Sequence, residues 1–498
     1  MNEINMGVLL WVLTISVCGI FLVISWRVKG QANESFSHYA IGGSSFPMLL
    51  IFFTQFATIM GAGNFIGHAG SGYENGVSWL AFIAGEQGAK IVFALVFAGL
   101  AGRLTYNTMP EMIDDLLVGD KVTRVMCGVL GTCIMIAWVG GQGKAFGEIF
   151  AVFTGADPLP IIFLFSLIFI VYTVLGGVYS VVWTDLFQGV LCVVFGILFY
   201  TFAFSKVDFS LAVLGQRLEE VGRGELWTFA NTDGLSVLNQ FLTGLVGVLV
   251  AQTYWQRCFA CKDGRTARNG LLYSGIICVV MTMLTALVGL IIMTLNQDLD
   301  ADSAMPWFMM YCTPPLIGAA IFVLILCAGM SSADSCLNSA AVLVVNDLIR
   351  PFSPKANDRR LVKYAKAATV VIGVAASVCA VYASSIISLF SRAYAMAGAG
   401  IAPLLCIGFF WRERRTEGHV MGKRNTKVTP WGARTGIVVG TVVSQLPVLG
   451  SNATLVGVVA ASVCIVAVSL FTRGAPKGPA PAVKRREENQ EKDAATRG

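Results

Sequence analysis

Long apolar stretches follow one another along almost the whole chain, and this pattern restricts the fold more than any other feature. A helix needs about 20 apolar residues to cross the hydrocarbon core of a bilayer, and we count about thirteen such stretches. They lie near residues 6–26, 46–70, 77–99, 124–151, 159–178, 183–205, 236–256, 271–295, 315–345, 363–383, 387–411, 433–449 and 453–472. The chain is therefore predicted to be an all-α, polytopic membrane protein with about thirteen transmembrane helices.

The composition indicates that lipid is the solvent for much of the surface. Of 498 residues, 56% are hydrophobic and only 13% are charged, which is more apolar surface than a soluble core can hide. The basic residues behind the net charge of +6 lie between and after the apolar runs, which argues against nucleic acid as a partner. The 13 cysteines lie mainly in apolar segments without metal-ligand spacing, so we expect neither a disulfide framework nor a Cys/His metal site.

The distribution of Lys and Arg predicts the orientation in the membrane. An odd number of spans places the two termini on opposite sides, and inside loops carry the excess of positive charge. With the N-terminus outside, the inside loops are the basic ones, and they contain Arg27, Lys29, Arg103, Lys121, Arg124, Arg257, Lys262, Arg265, Arg268, Arg350, Lys355, Arg359, Arg360, Arg412, Arg414, Arg415, Lys423 and Arg424. We predict a bacterial inner-membrane protein with a cytoplasmic C-terminus and a disordered tail over residues 473–498.

Two spans carry glycine and polar residues at their middle. The second contains FATIMGAGNFIG at residues 56–67, and the seventh contains TGLVG at residues 243–247. A helix interrupted at mid-membrane exposes backbone groups that are tolerated only where they line a cavity or bind something. Two such helices five spans apart are typical of an inverted-repeat transporter. The alternative is that these glycines only allow close helix packing.

The ninth span holds a polar run, AGMSSADS at residues 328–335, within an otherwise apolar helix. Ala328, Ser331 and Ser332 are spaced i, i+3 and i+4, so a carbonyl and two hydroxyls share one face. Hard oxygen ligands of this kind suit a hard cation. The alternative is that the serines bond back to their own helix or to a neighbouring one.

Ionisable residues inside spans are costly, and they are functional candidates for that reason. By position they are Glu86, Lys90, Lys144, Glu148, Asp185, Asp334 and Arg392. For Lys90 and Glu148, snorkelling to an interface or mutual pairing is the preferred interpretation. His68, near the outer end of the second span, has no close Cys, Asp or His partner in sequence, and no catalytic constellation indicates an enzyme.

Four separated motifs resemble the sodium:solute symporter family, a group of LeuT-like inverted-repeat transporters. The first is LGGVYSVVWTDLFQ at residues 175–188, which is similar to the family signature. The others are FIG and GSGY at residues 65–67 and 70–73, QR and ACKD at 256–257 and 260–263, and the ninth-span serines with LNS at 337–339 and NDL at 346–348. The resemblance covers roughly residues 35–415.

This resemblance implies an inverted 5+5 helix repeat with two discontinuous helices. The implied parts are an N-terminal helix and linker (1–45), two five-helix repeats (46–235 and 236–415), two C-terminal helices (416–472) and the tail (473–498). It also implies a sodium site formed by carbonyls of the first broken helix and by oxygens of the ninth span. Carried over by position, the sodium ligands are Ala57, Met60, Ala328, Ser331 and Ser332.

The family signature aspartate suggests a second cation site. Asp185 occupies that position, and Ser332 and Ser335 fit the serines that some members use with it. Asp334 stands where a serine is expected. A second carboxylate either strengthens an ion site or holds a proton, because two close carboxylates rarely both stay ionised.

By the same resemblance, the solute is expected beside the sodium and between the two broken helices. Asn64 matches a family position that contacts solute, and on the second broken helix small residues stand where sugar and proline carriers have aromatic ones, which leaves room for a differently shaped solute unless neighbouring aromatics fill it. Lys144 and Arg392 invite a carboxylate-bearing solute. The predicted solute-binding residues are Gly63, Asn64, Glu86, Lys144, Thr243, Gly244, Gly247, Val248 and Arg392.

The predicted function is sodium-coupled uptake of a small polar organic solute by alternating access. Its partners are the solute, sodium and membrane lipid, and no cofactor is expected beyond Na⁺ as the coupling ion. The alternative is a solute-binding transceptor or a passive uniporter without ion coupling.

Overall fold

The computed structural model describes residues 6–32, 35–99, 104–230, 232–353, 355–412 and 426–473. Within these ranges the regular structure is helical, with two isolated β-bridges and no strand. Among the described residues, ten segments are long and apolar enough to cross a membrane, so the all-α membrane class is confirmed. The predicted tail beyond Arg473 and the basic residues Arg103, Arg414, Arg415, Lys423 and Arg424 lie outside the described residues.

The α-helices are numbered here in chain order. They are α1 Met6–Ala32, α2 Phe36–Ile41, α3 Met48–Ile59, α4 Ala62–Asn75, α5 Leu80–Phe93, α6 Met109–Ile113, α7 Lys121–Thr154, α8 Pro158–Ser205, α9 Leu211–Glu220, α10 Gly234–Leu249, α11 Gln252–Ala260, α12 Gly264–Leu295, α13 Ala301–Tyr311, α14 Pro315–Leu343, α15 Asp358–Tyr382, α16 Ile386–Phe410, α17 Pro430–Val443 and α18 Ala453–Phe471. Short π-helical segments extend three of these helices, over Ala94–Ala98, Asp114–Val118 and Val344–Ile349.

Helix α14 forms the centre of the molecule. Every residue from Leu324 to Leu343 is buried, and the helix packs against α3, α7, α8 and α15. A helix enclosed on all sides can carry polar groups only where neighbouring helices satisfy them. By contrast, α1, α15 and α18 lie at the periphery and expose large apolar side chains, such as Ile15, Val371 and Val463. These exposed faces are suited to lipid.

Helix α8 contains two spans joined by a turn at Gly177. This glycine has φ 52° and ψ −157°, a conformation that disfavours residues with a side chain. A Cβ atom at this position would also lie 2.7 Å from the ring of Tyr39. The Tyr172 hydroxyl donates to Thr184 Oγ1 at 2.5 Å, whereas 12 residues of straight helix extend about 18 Å. The chain therefore folds back on itself at Gly177, between the predicted spans 159–178 and 183–205.

The two segments predicted to be interrupted are each divided into two helices. The first break lies at Met60 and Gly61, within the predicted polar run. The second lies at Val250 and Ala251, beyond the predicted run at 243–247. There the Trp255 indole N–H donates to the carbonyl of Leu249 at 2.9 Å, which satisfies a carbonyl at the end of α10.

Candidate functional site

The first break exposes carbonyl groups at the end of α3. The helical hydrogen bonds of α3 end with Met60 N–H to Phe56 O (3.1 Å), and those of α4 begin with Phe65 N–H to Gly61 O (3.0 Å). The last carbonyls of a helix lack helical donors. Here side chains from two other helices satisfy two of these carbonyls: Ser332 Oγ donates to Thr58 O at 2.5 Å, and Asn64 Nδ2 donates to Ile59 O at 2.7 Å.

The carbonyls of Ala57 and Met60 receive no side-chain hydrogen bond from the described residues, in contrast to those of Thr58 and Ile59. Both residues are buried, so each carbonyl remains available to a cation. These are the two positions on the first broken helix that the family resemblance assigns to sodium.

Ser332 of α14 faces this break. Ser332 contacts the end of α3, while Ser331 Oγ donates to Asp185 Oδ1 on α8 at 2.5 Å. Gly61 allows the close approach, because a Cβ atom there would lie 2.3 Å from Ser332 Oγ. The predicted sodium ligands therefore lie on two helices that meet, and their hard oxygens fit a sodium ion.

The predicted second cation site contains an arginine. The Arg257 guanidinium on α11 donates through Nη2 to Ser335 Oγ at 2.6 Å and lies 3.8 Å from Asp185 Oδ2. The same nitrogen donates to Thr54 and Thr58 at 3.2 and 3.3 Å. Arg257 thus supplies the positive charge beside Asp185 that the sequence assigned to a second cation.

Asp334 does not take part in the hydrogen bonds of this ion pair. Its side chain is buried, and neither carboxylate oxygen makes a hydrogen bond of normal length with the described residues. Of the acidic and serine residues predicted for the second site, Asp185 and Ser335 contact Arg257, whereas Asp334 does not. The structure therefore brings only part of this set together.

A small cavity lies beside the first break. The volume open to the centre of a water molecule is about 20 Å³, which is enough for only one or two waters. A solute therefore requires the surrounding side chains to move apart. The lining residues come from α3, α4, α5, α7, α11, α14 and α16, and from the first break; they are Thr58, Ile59, Gly61, Asn64, Glu86, Gln87, Lys90, Trp138, Gln142, Tyr254, Ser332, Phe390 and Tyr394.

Glu86 is held by three hydrogen bonds at the wall of this cavity. It accepts from the Tyr394 hydroxyl at 2.7 Å, from Gln87 Nε2 at 2.8 Å and from His68 Nε2 at 3.1 Å. The Trp79 indole N–H donates to His68 Nδ1 at 3.0 Å, so a neutral His68 ring carries its proton on Nε2 and donates it to Glu86. His68 therefore has close partners that its position in the sequence does not indicate.

The predicted solute-binding residues divide into two groups. Asn64 and Glu86 line the cavity, and the Gly63 N–H beside it donates to Gln142 Oε1 at 2.9 Å. Residues Thr243, Gly244, Gly247, Val248, Lys144 and Arg392 are not among those that line it.

The glycines of the second broken helix pack closely against other residues instead of leaving room for a solute. A Cβ atom at Gly247 would lie 2.3 Å from the Tyr394 ring, and one at Gly244 would lie 2.5 Å from the backbone nitrogen of Glu86. Thr243 Oγ1 donates to Thr454 at 2.7 Å. Neighbouring groups therefore fill the volume, which was the alternative left open by the sequence.

The two cations predicted to attract a carboxylate lie elsewhere. Lys144 Nζ lies 3.6 Å from Glu148 Oε1, one helical turn away, and Arg392 is exposed. Lys90, for which the sequence favoured snorkelling or pairing, instead lines the cavity with its side chain buried. The only signal for this placement in the sequence is the spacing of Glu86 and Lys90 on one helical face.

Four of the cavity residues that the sequence did not single out are aromatic. Trp138, Tyr254, Phe390 and Tyr394 come from α7, α11 and α16. Each lies in a segment apolar enough to cross a membrane. An aromatic side chain is ordinary there, so only the packing of the helices distinguishes these four.

The sequence is similar to those of known membrane transporters. A model of the sodium:solute symporter family matches residues 39–424. The chain is 26% identical over 432 residues to the high-affinity choline transporter 1 of Drosophila melanogaster, which covers 83% of this chain and 68% of the other. It is 23% identical over 448 residues to the sodium/glucose cotransporter of Vibrio parahaemolyticus, which covers 82% of this chain and 80% of the other.

A solved structure shows the same fold. A sodium-coupled sialic acid symporter in a substrate-bound, outward-open state superimposes with a TM-score of 0.78, covering 95% of this chain and 99% of the other at 17% identity. The two curated relatives and this structural neighbour are transporters, not enzymes. The predicted family resemblance and the prediction of a transporter without enzymatic activity are both confirmed.

Proposed function

Because the chain belongs to the sodium:solute symporter family, we propose that it is a secondary active transporter that carries a small polar organic solute into the cell together with sodium. The observation that carries this proposal is the contact between Ser332 Oγ and Thr58 O at 2.5 Å. It joins the break between α3 and α4 to α14, with the donor-free carbonyls of Ala57 and Met60 close by in the chain.

The proposed sodium ligands are the carbonyl oxygens of Ala57, Met60 and Ala328 and the hydroxyls of Ser331 and Ser332. Sodium bound to all five would draw the end of α3 towards α14. A ligand that holds two helices together shifts the population towards the conformation in which they are close. If the same conformation completes the solute cavity beside Ser332, sodium raises the affinity for solute, and solute raises the affinity for sodium by the same factor.

We assign one sodium ion to this site in each transport cycle. The supporting observation is that Arg257 already neutralises Asp185 and donates to Ser335. A further cation at Asp185, Asp334 and Ser335 stays a prediction, with the unpaired carboxylate of Asp334 as its available acceptor.

The proposed membrane arrangement has thirteen crossings. Ten segments of the described residues are suited to crossing, and three further crossings are added to them. Helix α8 counts as two crossings because it turns at Gly177, and α3 with α4 forms one crossing separate from α5. Helix α17 is the thirteenth. In this arrangement the parts are an N-terminal helix with its linker (1–45), inverted repeats over 46–235 and 236–415, two further helices over 416–472 and the tail. We also propose the bacterial inner membrane, with the N-terminus outside and the C-terminus in the cytoplasm.

Sodium binding can be tested without knowing the solute. Purified protein is incubated with ²²Na⁺, and binding is measured by scintillation proximity for the wild type and for Ser332→Ala. Loss of one hydroxyl ligand is expected to weaken sodium binding by roughly tenfold, in line with about 1.5 kcal/mol for a hydrogen bond or ligand contact to a charged group. Ser377→Ala on α15 is the control, because that buried serine donates only to its own helix, at Gly373.

Unchanged sodium affinity in Ser332→Ala would remove this residue from the ion site. Coupling itself is tested in vesicles: the protein should concentrate solute above its equilibrium level when an inward sodium gradient is imposed. Uptake that only equilibrates, with or without sodium, would favour a passive uniporter or a transceptor.

A further inference from the structure

Among the described residues that line the cavity beside Ser332, Lys90 is the one lysine or arginine. Its side chain is only 2% exposed, and its ammonium donates a hydrogen bond to Gln87 Oε1. An ammonium group has three donors. Among the described residues Gln87 Oε1 is its one hydrogen-bond acceptor, so the buried ammonium has two donors without an acceptor.

The nearby carboxylate does not satisfy Lys90 directly. Glu86 is on the same helix, but its oxygens accept from Tyr394, His68 and Gln87. Gln87 therefore lies between the two charges, donating to Glu86 and accepting from Lys90. With three of about four acceptor sites used, Glu86 has little capacity to bind a cationic solute, whereas Lys90 still lacks acceptors.

Most other polar groups of the cavity are also engaged. The Trp138 indole N–H donates to the Tyr394 hydroxyl at 2.8 Å, and Gln142 uses its oxygen on Gly63 N–H and its amide on Trp138 O. Asn64 Nδ2 donates to Ile59 O. A polyol needs several free donors and acceptors, because each unpaired hydroxyl costs free energy in a dry site, and this cavity offers few.

The aromatic residues give the cavity an apolar wall. Trp138, Tyr254, Phe390 and Tyr394 present rings to it. Such a group of rings is also typical of sites for quaternary ammonium ions. Here, however, the Lys90 ammonium lies 5.9 Å from the centroid of the Tyr254 ring, so it already occupies one ring face and would repel a second cation.

We propose that Lys90 anchors the solute and that the solute is a small organic monoanion, a monocarboxylate whose body is apolar or aromatic. The carboxylate accepts the donors that Lys90 has left, and the body contacts the rings. The donors of Lys90 suit one carboxylate, and the Glu86 carboxylate in the same cavity opposes a second negative charge, which disfavours dicarboxylates and phosphate esters. This inference rests on the proposed function, because it assumes that the cavity beside Ser332 receives the transported solute.

The test is a thermal-shift panel on the purified full chain, in sodium and in potassium buffers. The probes are phenylacetate, 4-methylpentanoate, succinate, choline and glucose. In sodium buffer we expect phenylacetate or 4-methylpentanoate to raise the Tm by about 2 °C or more at saturation, and the others to have no effect. The monocarboxylate response should be smaller in potassium buffer.

Two variants identify the anchor. Lys90→Met keeps the apolar stem but removes the charge, and it should abolish the monocarboxylate response, whereas Lys90→Arg should retain part of it. Lys363→Gln is the control for loss of one positive charge, since Lys363 is exposed on α15. A response to choline or glucose but not to either monocarboxylate would overturn the proposal, as would an undiminished monocarboxylate response in Lys90→Met.

Failure of this inference is distinguishable from failure of the proposed function. Sodium alone should stabilise the wild type and Lys90→Met equally, because Lys90 is not a sodium ligand. If sodium stabilises both but neither monocarboxylate binds the wild type, the solute class is wrong and the sodium site stands. If Lys90→Met does not fold, the wild-type panel and Lys90→Arg still decide the question.

Discussion

At Arg257 a fully buried guanidinium is held by side chains from three other helices. Thr54 and Thr58 come from α3, Asp185 from α8 and Ser335 from α14. A buried charge that loses its partner costs far more free energy than the pair contributes when intact. Arg257 and Asp185 should therefore depend on each other.

We expect Arg257→Met to lower the free energy of unfolding by about 3–5 kcal/mol, because it leaves Asp185 buried and uncompensated. Adding Asp185→Asn should restore most of that loss. The measurement is the Tm of each purified variant in low and high sodium. Additive losses in the double variant would contradict the pairing.

Asp302 is a buried carboxyl group outside the predicted spans, and its titration should affect stability. Its carboxylate accepts the Ile386 N–H at 3.1 Å, at the start of α16. Burial raises the pKa of Asp302 to about 6 although this hydrogen bond favours the charged form. The folded protein therefore binds this proton more tightly than the unfolded chain does.

The stability that this proton contributes is present below about pH 4 and is lost as the pH rises through about 6. It amounts to at most about 3 kcal/mol, at about 1.4 kcal/mol per pKa unit. Asp302→Asn should therefore reduce the fall in Tm between pH 4.5 and pH 7.5. An equal fall in both proteins would show that another group is responsible.

The sequence identified the ionisable residues of the membrane region but not their neighbours. It selected Lys144 and Arg392 for the solute, whereas Lys90 lines the cavity. The position of an ionisable residue along an apolar helix indicates its depth in the membrane. Which other helix faces it depends on how the helices pack, and a single sequence does not contain that information.

Helices α5 and α10 approach each other through glycines. A Cβ atom at Gly85 would lie 1.9 Å from the carbonyl oxygen of Phe241, while one at Gly244 would lie 2.6 Å from that of Phe82. Backbone atoms cannot move aside as a flexible side chain can. Glu86 follows Gly85 directly, so the separation of these two helices also fixes the position of the cavity wall.

We expect Gly85→Ala to destabilise the protein by about 1–3 kcal/mol through overpacking. Gly88→Ala is a matched control on the same helix, because a Cβ atom there meets nothing within 4 Å. That control should be neutral or stabilise by up to about 1 kcal/mol through helix propensity. The measurement is the Tm of both purified variants. An equal fall in Tm for Gly85→Ala and Gly88→Ala would show that the close contact at Gly85 is not the cause.

The sequence located one of the two breaks. At residues 56–67 the polar residues and glycines weaken the helix where it divides, at Met60 and Gly61. The second break, at Val250 and Ala251, lies in an apolar segment with no local sign of it. It follows from tertiary contacts such as the one from the Trp255 indole to Leu249 O, which overrides local helix propensity.

For the molecule as a whole, the thirteen proposed crossings predict which loops reach each side of the membrane. Alkaline phosphatase fused after residue 230 should be active, because this reporter is active only when it is exported. Fusions after residue 353 should instead give green fluorescence from a cytoplasmic reporter. The opposite pattern would reverse the orientation, and matching sides for the two sites would change the number of crossings between them.

Helix class and membrane location were predictable for the whole molecule, because hydropathy and span length depend on composition alone. The reversal of α8 at Gly177 was predictable only as a boundary between two spans. Its tightness depends on the left-handed glycine conformation beside Tyr39. The cavity, formed by side chains from seven helices, could not be located before the helices were placed.

The enclosure of α14 on all sides has a consequence for biogenesis. A carboxylate at the middle of a helix adds about 2.5–3.5 kcal/mol to its insertion into lipid, so Asp334 and the serines beside it make the insertion of α14 alone less favourable than that of a wholly apolar helix. Thr58, Asp185 and Arg257 all precede it along the chain and meet its polar face. Synthesis from the N-terminus therefore delivers the receiving helices before the one that depends on them.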